Sequence, residues 1–371
     1  MSHGKEKRLV SLDAFRGFTI AGMILVNIPG SWSYVYPPLQ HAPWFGCTPT
    51  DLVFPFFLFI VGVAMWFSFK KVNYELSGPV VKRVISRAAL IFACGLFIRA
   101  FPFYNIDFDT FRPMGVLQRI GIAFALGAIV CLYFKRTRPL LIFSAIILLT
   151  YWVLLWFFGG PDPYSLENNL VRKVDVFVFG ANHLWQGLGI PFDPEGLLST
   201  LPSIISVVLG FLVGQMIDKT PRDQLMIRMA VIGVISLFIG YTWSFVFPLS
   251  KSLWTSSYVI YTTGIAIFIL GIFVWVIDIK NKQGWAFPLL VFGMNSLFAY
   301  ILSELWVKTL WTIQVIGANG SKIDAYTGIY QKIMVPIAGN MNGSLLFAVT
   351  HIVIFWIILL ILYKKRIFIK V

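Results

Sequence analysis

The chain has 371 residues, of which 58% are hydrophobic and only 12% are charged. A soluble globular domain carries about 25% charged residues, so this composition excludes a water-soluble fold built around one core. The formal net charge of +14 is compatible with nucleic-acid binding only if the basic residues form a patch, so their distribution decides its meaning.

Apolar segments recur along the chain and reach the roughly 20 residues that a helix needs to cross a bilayer. The sequence predicts an all-α integral membrane protein with about ten transmembrane helices. It predicts one transmembrane domain over residues 1–371 and no separate soluble domain. The predicted segments are residues 12–32, 51–69, 84–101, 114–134, 139–158, 199–217, 227–248, 253–277, 285–312 and 344–363.

The first and ninth segments contain polar interruptions. The short basic stretch before the first segment, and the charges of Asp13 and Arg16 within it, indicate a retained helix rather than a cleaved signal peptide. In the ninth segment, Gly293, Asn295 and Ser296 indicate a helix that is broken or ends early.

The segments that connect the helices alternate in charge. The positive-inside rule places the basic set, and with it both termini, in the cytoplasm. The basic clusters are Lys5, Lys7 and Arg8; Lys70, Lys71, Lys82, Arg83 and Arg87; Lys135, Arg136 and Arg138; Lys219, Arg222 and Arg228; Lys280 and Lys282; and Lys364, Lys365, Arg366 and Lys370. The net charge therefore reflects topology, and no nucleic-acid partner is predicted.

Three long segments, 31–50, 159–198 and 313–343, fall on the opposite side. Long loops in compact proteins often carry function. The three cysteines form no CxxC pair, so the sequence predicts neither a disulfide framework nor a metal site.

Charged residues within the predicted spans are candidate functional groups. Asp13 and Arg16 share a helix face, which fits a salt bridge at the interface or an arginine that faces a cavity and binds an anion. Both interpretations can hold together. Arg119 follows Gln118 among apolar residues, so its charge requires either a carboxylate partner or an anionic ligand.

Three polar residues lie near the predicted outer end of the first two helices. Asn27 either joins helices or polarises a carbonyl group through its amide. His41 lies ten residues before Asp51, which opens the second helix. Asp51 suits a helix N-terminus, and a histidine with a nearby carboxylate also suits a general base.

The second long outer segment mixes aromatic, amide and acidic residues around His183, Asp193 and Glu195. This mixture is typical of a carbohydrate-facing surface and also of an aromatic belt at the membrane interface. Trp44, close to His41, belongs to the same residue class. His351, on the apolar last helix, is interpreted as structural.

Several motifs, in order, resemble the heparan-alpha-glucosaminide N-acetyltransferase family, including its bacterial NagX-like members. The resemblance runs from residue 9 to at least residue 300. The motifs are SLDAFRG at 11–17, Asn27, the block at 41–55, GVLQRIG at 115–121, FDPEG at 192–196 and GMNS at 293–296.

This resemblance implies transfer of an acetyl group from cytosolic acetyl-CoA to a glucosamine-type amino sugar across a bacterial-type inner membrane. His41 would be the active histidine, with Asn27 beside it and Asp51 orienting it. The expected coenzyme-binding residues are Arg16, Arg83, Arg87, Gln118, Arg119, Asn295 and Ser296. The expected acceptor-binding residues are Trp44, His183, Asp193 and Glu195. As an integral membrane protein the chain is expected to contact lipid, and self-association of related membrane enzymes makes a homodimer possible, although the sequence does not fix the oligomeric state.

We expect this chain to lack the lumenal domain and leading helix that precede the shared core in the lysosomal member, which leaves the acceptor open. Two other functions fit the residues. One is a transporter of an anionic or sugar substrate lined by the buried charges, and the other is a membrane O-acyltransferase of an envelope polysaccharide. A purely structural membrane protein leaves the polar residues within the spans unexplained.

Overall fold

The computed structural model describes residues 9–104, 106–317 and 320–369. These ranges are almost entirely helical, with one short antiparallel hairpin. The helices are α1 (Val10–Asn27), α2 (Val53–Lys70), α3 (Gly78–Ala100), α4 (Val116–Phe134), α5 (Thr137–Phe158), α6 (Leu170–Phe179), α7 (Leu197–Lys219), α8 (Arg222–Trp243), α9 (Ser256–Phe273), α10 (Phe287–Met294), α11 (Ser296–Thr312), α12 (Ala325–Ile329) and α13 (Val335–Lys364). The hairpin joins β1 (Gln314–Ile316) to β2 (Lys322–Asp324).

Within the residues that the structure describes, eight helical stretches are long and apolar enough to cross a membrane, and the bent pair of α10 and α11 forms a ninth candidate. Helix α3 has 23 residues, but it contains Lys82, Arg83, Arg87 and Arg99. The helical, multi-pass class is thus confirmed, while the count of ten and the cytoplasmic termini remain predictions. The basic residues from Lys5 to Arg8, and Lys370, lie outside the described residues.

The interruption predicted in the ninth segment is a sharp break at Asn295, where the two helical halves meet at 69°. The backbone of Asn295 leaves the helical region, with φ −128° and ψ 40°. A break inside a membrane span exposes backbone polar groups, so these groups need partners within the protein.

The predicted beginning of the last helix at residue 344 is wrong. Helical structure starts at Ala325 and runs, with a kink at Gly339, to Lys364. Asp324 begins it by accepting a hydrogen bond from the Thr327 amide at 2.8 Å. The long segment 159–198 is likewise not all loop, because it contains α6.

Glycines allow the central helices to touch backbone to backbone. A Cβ atom on Gly17 of α1 would lie 1.7 Å from the carbonyl oxygen of Leu289. A Cβ atom on Gly293 of α10 would lie 1.9 Å from the carbonyl oxygen of Asp13. Small residues permit this approach in membrane helix pairs, and here they hold α1 against the broken helix.

The helices also pack in the pairs α2 with α7, α8 with α9 and α3 with α4. Helices α5 and α8 lie at the periphery and expose large apolar side chains such as Ile142, Trp156, Ile227 and Phe238. In a bilayer such side chains face lipid, so α1, α2, α4 and α7 form the more buried part of the bundle.

Candidate active site

His41 and Asp51 are in direct contact. The Nδ1 atom of His41 lies 2.7 Å from Oδ1 of Asp51. The other carboxylate oxygen accepts bonds from the amides of Ala42 at 3.0 Å and Thr48 at 3.1 Å, and from the Thr48 hydroxyl at 3.0 Å. Asp51 belongs to the capping box of the 3₁₀ turn Pro49–Leu52. It therefore both caps a helix and orients a histidine.

This bonding pattern assigns the proton of neutral His41. A carboxylate that accepts from three donors on one oxygen stays ionised, so its other oxygen accepts from Nδ1–H of His41. The Nε2 atom then keeps its lone pair. A histidine in this state can accept a proton or act as a nucleophile.

Lys251 completes the group, and sequence reasoning missed it. Its Nζ atom lies 3.2 Å from Nδ1 and 3.4 Å from Nε2 of His41, and 3.9 Å from Oδ1 of Asp51. Burial lowers the pKa of Lys251 from its ordinary value, while the Asp51 carboxylate opposes that shift. Lys251 could have been found from the sequence, because it is a lysine in the connection between α8 and α9, on the predicted outer side, where basic residues are scarce.

These groups open into what we call the His41 cavity, a space of about 830 Å³. Its polar lining consists of Thr19, Asn27, His41, Thr50, Glu195, Lys251 and Tyr300. The remaining lining residues are apolar and include Met23, Phe54 and Val116. The structure thus brings Asn27 and Glu195, predicted from separate motifs, to the same cavity as His41.

A second space of about 1420 Å³, the arginine cavity, is lined by Arg16, Arg83 and Arg87 together with Ser296. Arg16 donates to Asp13 at 2.9 Å and to the carbonyl oxygen of Gly293 at 3.4 Å. The salt bridge and the cavity-facing arginine, offered as alternatives for Arg16, are therefore both present.

The two cavities meet at four apolar side chains, which we call the shared wall. Phe57, Leu117, Ile120 and Leu297 line both spaces. Leu117 and Ile120 are buried and belong to α4, whereas Leu297 follows the break in the ninth span. The histidine and the three arginines thus lie in adjacent spaces separated by an apolar layer.

Asn295 does not line either cavity among the described residues, unlike its neighbour Ser296. Its amide nitrogen donates to the carbonyl oxygen of Ile367 at 3.0 Å, and its oxygen accepts from the amide of Ile369 at 2.8 Å. Residues 367–369, the tail strap, are held to the break in this way. Ile369 lines the arginine cavity, so Asn295 contributes to that space indirectly.

Gln118 and Arg119 also lie away from the linings of both cavities in the described part of the chain. Gln118 packs against Gly95, at the contact between α3 and α4. Arg119 is fully buried, donates to the Ser199 hydroxyl and lies 5.0 Å from the ring centroid of Trp254. Their assignment to coenzyme binding rests on the resemblance alone.

Asp193 and Glu195 share one partner, Arg112, which sequence reasoning also missed. Arg112 donates to both oxygens of Asp193, at 2.7 and 2.6 Å, and to Glu195 at 2.5 Å. Burial would lower the pKa of Arg112, but these two carboxylates outweigh it and raise the pKa. Arg112 thereby fixes the carboxylate that faces the His41 cavity.

Trp44 and His183 stabilise the surrounding loops. The indole nitrogen of Trp44 donates to the carbonyl oxygen of Tyr164 at 2.8 Å, and its ring meets Phe192 edge-on. His183 lies 2.8 Å from the carbonyl oxygen of Phe111 through Nδ1. Neither side chain lines the His41 cavity in the described residues. In the same part of the chain, no three His, Cys, Asp or Glu side chains gather as a metal-binding group.

Comparison with known proteins gives a consistent result. A family model described as "Heparan-alpha-glucosaminide N-acetyltransferase, catalytic" matches residues 8–244. Proteins named "Heparan-alpha-glucosaminide N-acetyltransferase" from Mus musculus and Homo sapiens are each 28% identical to this chain, over 356 and 364 residues. These matches cover 80% and 81% of the chain but 53% of each relative, so the chain spans about half the length of the curated relatives it matches.

Proposed function

Because the chain belongs to the heparan-alpha-glucosaminide N-acetyltransferase family, we propose that it transfers an acetyl group from acetyl-CoA to the amine of a glucosamine-type sugar. One observation carries this proposal: the His41–Asp51 pair lies in a cavity that meets an arginine-lined cavity across an apolar wall. A donor with an anionic head and a long neutral arm fits that arrangement.

The arginine cavity suits the head of CoA. Arg16, Arg83 and Arg87 supply positive charge for the phosphates, and guanidinium groups bind phosphate oxygens through paired hydrogen bonds. The pantetheine arm would then pass the shared wall and carry the thioester to the His41 cavity. With the arginines on the predicted cytoplasmic side, the donor enters from the cytoplasm of a bacterial-type inner membrane and the acceptor waits outside.

The chemistry starts from a neutral amine. Its nitrogen attacks the thioester carbon, forming a C–N bond, and the electron pair of the C=O bond moves to oxygen. When the carbonyl re-forms, the C–S bond breaks and CoA leaves as a thiolate. Nε2 of His41 takes the proton that the amine loses and delivers it to the sulfur.

A second route uses the same geometry. Nε2 accepts the acetyl group first, releasing CoA, and the amine then attacks the acetyl-imidazole. In both routes negative charge develops on the acyl oxygen. The amide of Asn27, which lines the same cavity, would donate to that oxygen, and such a donor lowers the barrier by about 3 kcal/mol.

The test is acetyl transfer by the purified protein in lipid nanodiscs, with radiolabelled acetyl-CoA and either glucosamine or N-acetylglucosamine as acceptor. We expect labelled product with glucosamine only, since N-acetylglucosamine has no free amine. Labelling of both sugars would instead indicate an O-acyltransferase. Absence of transfer, with intact CoA binding, would favour a transporter and contradict the proposal.

Two histidine variants sharpen the test. His41→Ala should abolish transfer while CoA still binds, because His41 lies beyond the shared wall from the arginines. His351→Asn is the matched control: His351 is bonded through Nδ1 to the carbonyl oxygen of Phe347, and asparagine can replace that bond. Equal turnover by His41→Ala and the control would exclude His41 as the active residue.

A further inference from the structure

The position of Lys251 against His41 points to a third catalytic group. We propose that Lys251 is a catalytic residue, whose ammonium group donates to the acyl oxygen as negative charge develops there. The inference rests on the proposed acetyl transfer. Lys251 lies outside residues 8–244, which the family model matches, so its contacts in the structure are the evidence for its chemistry.

The contacts of Lys251 show that it is more than a structural partner of Asp51. Its Nζ atom is 3.9 Å from the Asp51 carboxylate, beyond hydrogen-bonding distance, and 3.2 and 3.4 Å from the two ring nitrogens of His41. Asp51 meanwhile accepts four closer hydrogen bonds, from His41, Ala42 and Thr48. The carboxylate does not need the lysine, and the lysine faces the histidine.

Hydrogen bonds fix the backbone around Lys251, and its side chain reaches the His41 cavity. The amide of Gly46 donates to Leu249 at 2.8 Å, which links this segment to the His41 loop. The amide of Thr255 closes the turn by donating to Ser250 at 3.2 Å. The side chain of Lys251 is 22% exposed and lines the His41 cavity. A ligand in that cavity can therefore take over its hydrogen bond.

Before the substrate binds, Asp51 and Lys251 hold the His41 ring from two sides. The carboxylate fixes the ring orientation through Nδ1 at 2.7 Å. Lys251 places an N–H donor 3.4 Å from Nε2, the ring nitrogen that carries the lone pair.

Other groups around the ring do not replace this cation. Glu195 lines the cavity but is paired with Arg112. Burial raises the pKa of Cys47 to about 12, so its thiol is neutral at ordinary pH. The Tyr258 hydroxyl donates to the carbonyl oxygen of Asp51, while Tyr300 and Asn27 are uncharged lining groups. Arg119 is buried against Ser199 and Trp254.

During transfer the same ammonium group has a second use. A carbonyl attacked next to Nε2 of His41 lies next to Nζ of Lys251, because the two nitrogens are 3.4 Å apart. As the electron pair moves onto the acyl oxygen, a Lys251 N–H donates to it, and the bond weakens again when the C–S bond breaks. Lys251 keeps its proton throughout, and the proton of the amine still travels through His41 to sulfur.

The test compares Lys251→Met, Lys251→Arg and the control Lys173→Met. Lys173 is also outside the spans, but it binds only the backbone carbonyls of Phe158 and Gly159. We expect Lys251→Met to lose about 100-fold in kcat. The loss should fall on kcat while the KM for glucosamine stays unchanged, because the acyl oxygen carries its charge only in the transition state. Lys251→Arg keeps a cationic donor and should retain most of the rate.

A second readout does not depend on turnover. Among the described residues, Lys251 lines the His41 cavity and not the arginine cavity. The CoA affinity in calorimetry and the melting temperature should therefore stay unchanged in Lys251→Met, as in Lys173→Met.

The outcomes separate the two proposals. If the wild type transfers acetyl groups and Lys251→Met keeps the wild-type kcat, Lys251 is not a catalytic residue. A lower rate accompanied by weaker CoA binding or a lower melting temperature would reduce Lys251 to a structural role. Absence of transfer by the wild type would end the proposed function and the catalytic assignment together.

Discussion

Replacement of Asp51 by asparagine tests how strictly the loop fixes the state of His41. The substitution preserves shape, but it turns one acceptor oxygen into an NH₂ donor. One side of the present carboxylate faces three donors, from Ala42 and the amide and hydroxyl of Thr48, and the other faces Nδ1 of His41. The single amide oxygen should turn toward the three donors, so the NH₂ group meets Nδ1.

The consequence is a change of tautomer. Nδ1 must then accept a hydrogen bond, the proton moves to Nε2, and the lone pair no longer faces the substrate. In serine proteases the corresponding change lowers kcat about 10⁴-fold through the same tautomer effect. We expect a loss of about 10³- to 10⁴-fold for Asp51→Asn, or roughly 4–5.5 kcal/mol of barrier at 1.36 kcal/mol per tenfold.

Steady-state transfer to glucosamine, with thermal unfolding measured in parallel, is the appropriate assay. The fold should be nearly unaffected, because the three donors from Ala42 and Thr48 keep an acceptor. Asp218→Asn is the matched control, since Asp218 pairs with Lys70 at 2.9 Å and accepts from Trp66. If Asp51→Asn retained a tenth of the wild-type kcat with an unchanged melting temperature, the tautomer reasoning would be refuted.

Three further substitutions give separate tests. Arg112→Met should destabilise the protein by about 3–5 kcal/mol, because it leaves the carboxylates of Asp193 and Glu195 without their cation. A loss of roughly 3 kcal/mol should lower the melting temperature by more than about 2 °C. A smaller change would contradict this prediction. Burial raises the pKa of Asp175 to about 7. The folded state therefore holds a proton that the unfolded chain releases near pH 4. The free energy of unfolding should fall by up to about 4 kcal/mol as the pH rises from about 4 to about 7. Asp175→Asn should remove that slope from the pH series of melting temperatures, and a persistent slope would assign it elsewhere. Asn295→Ala removes the two hydrogen bonds that hold the tail strap. CoA should then bind several-fold more weakly in calorimetry, while the KM for the acceptor stays unchanged. An unaltered CoA affinity would show that the strap has no part in the arginine cavity.

Local features of the fold were accessible from the sequence. The spans follow from runs of apolar residues, and the break at Asn295 follows from small and polar residues within one run. The contact between Asp13 and Arg16 follows from a spacing of three residues on a helix. The extent of the last helix was missed, because Gly339 and its polar neighbours are typical of a loop.

The site itself was only partly predictable. His41 and Asp51 are ten residues apart in one loop, so a short-range contact could be expected. Lys251 meets His41 across 210 positions, and Arg112 meets Asp193 across 81. Such pairs depend on how distant loops come together at one end of the bundle, and no periodicity in a single sequence records that arrangement.

The shared wall has a consequence for the membrane as a barrier. Phe57, Leu117, Ile120 and Leu297 are all hydrocarbon at the point where the two cavities meet. A neutral arm can displace such side chains, whereas a hydrated ion would lose its water there at a cost of several kcal/mol. Vesicles that contain the protein should therefore hold a pH gradient as well as plain lipid vesicles. In the proposed transfer, the layer that the acyl group passes would also oppose the passage of ions.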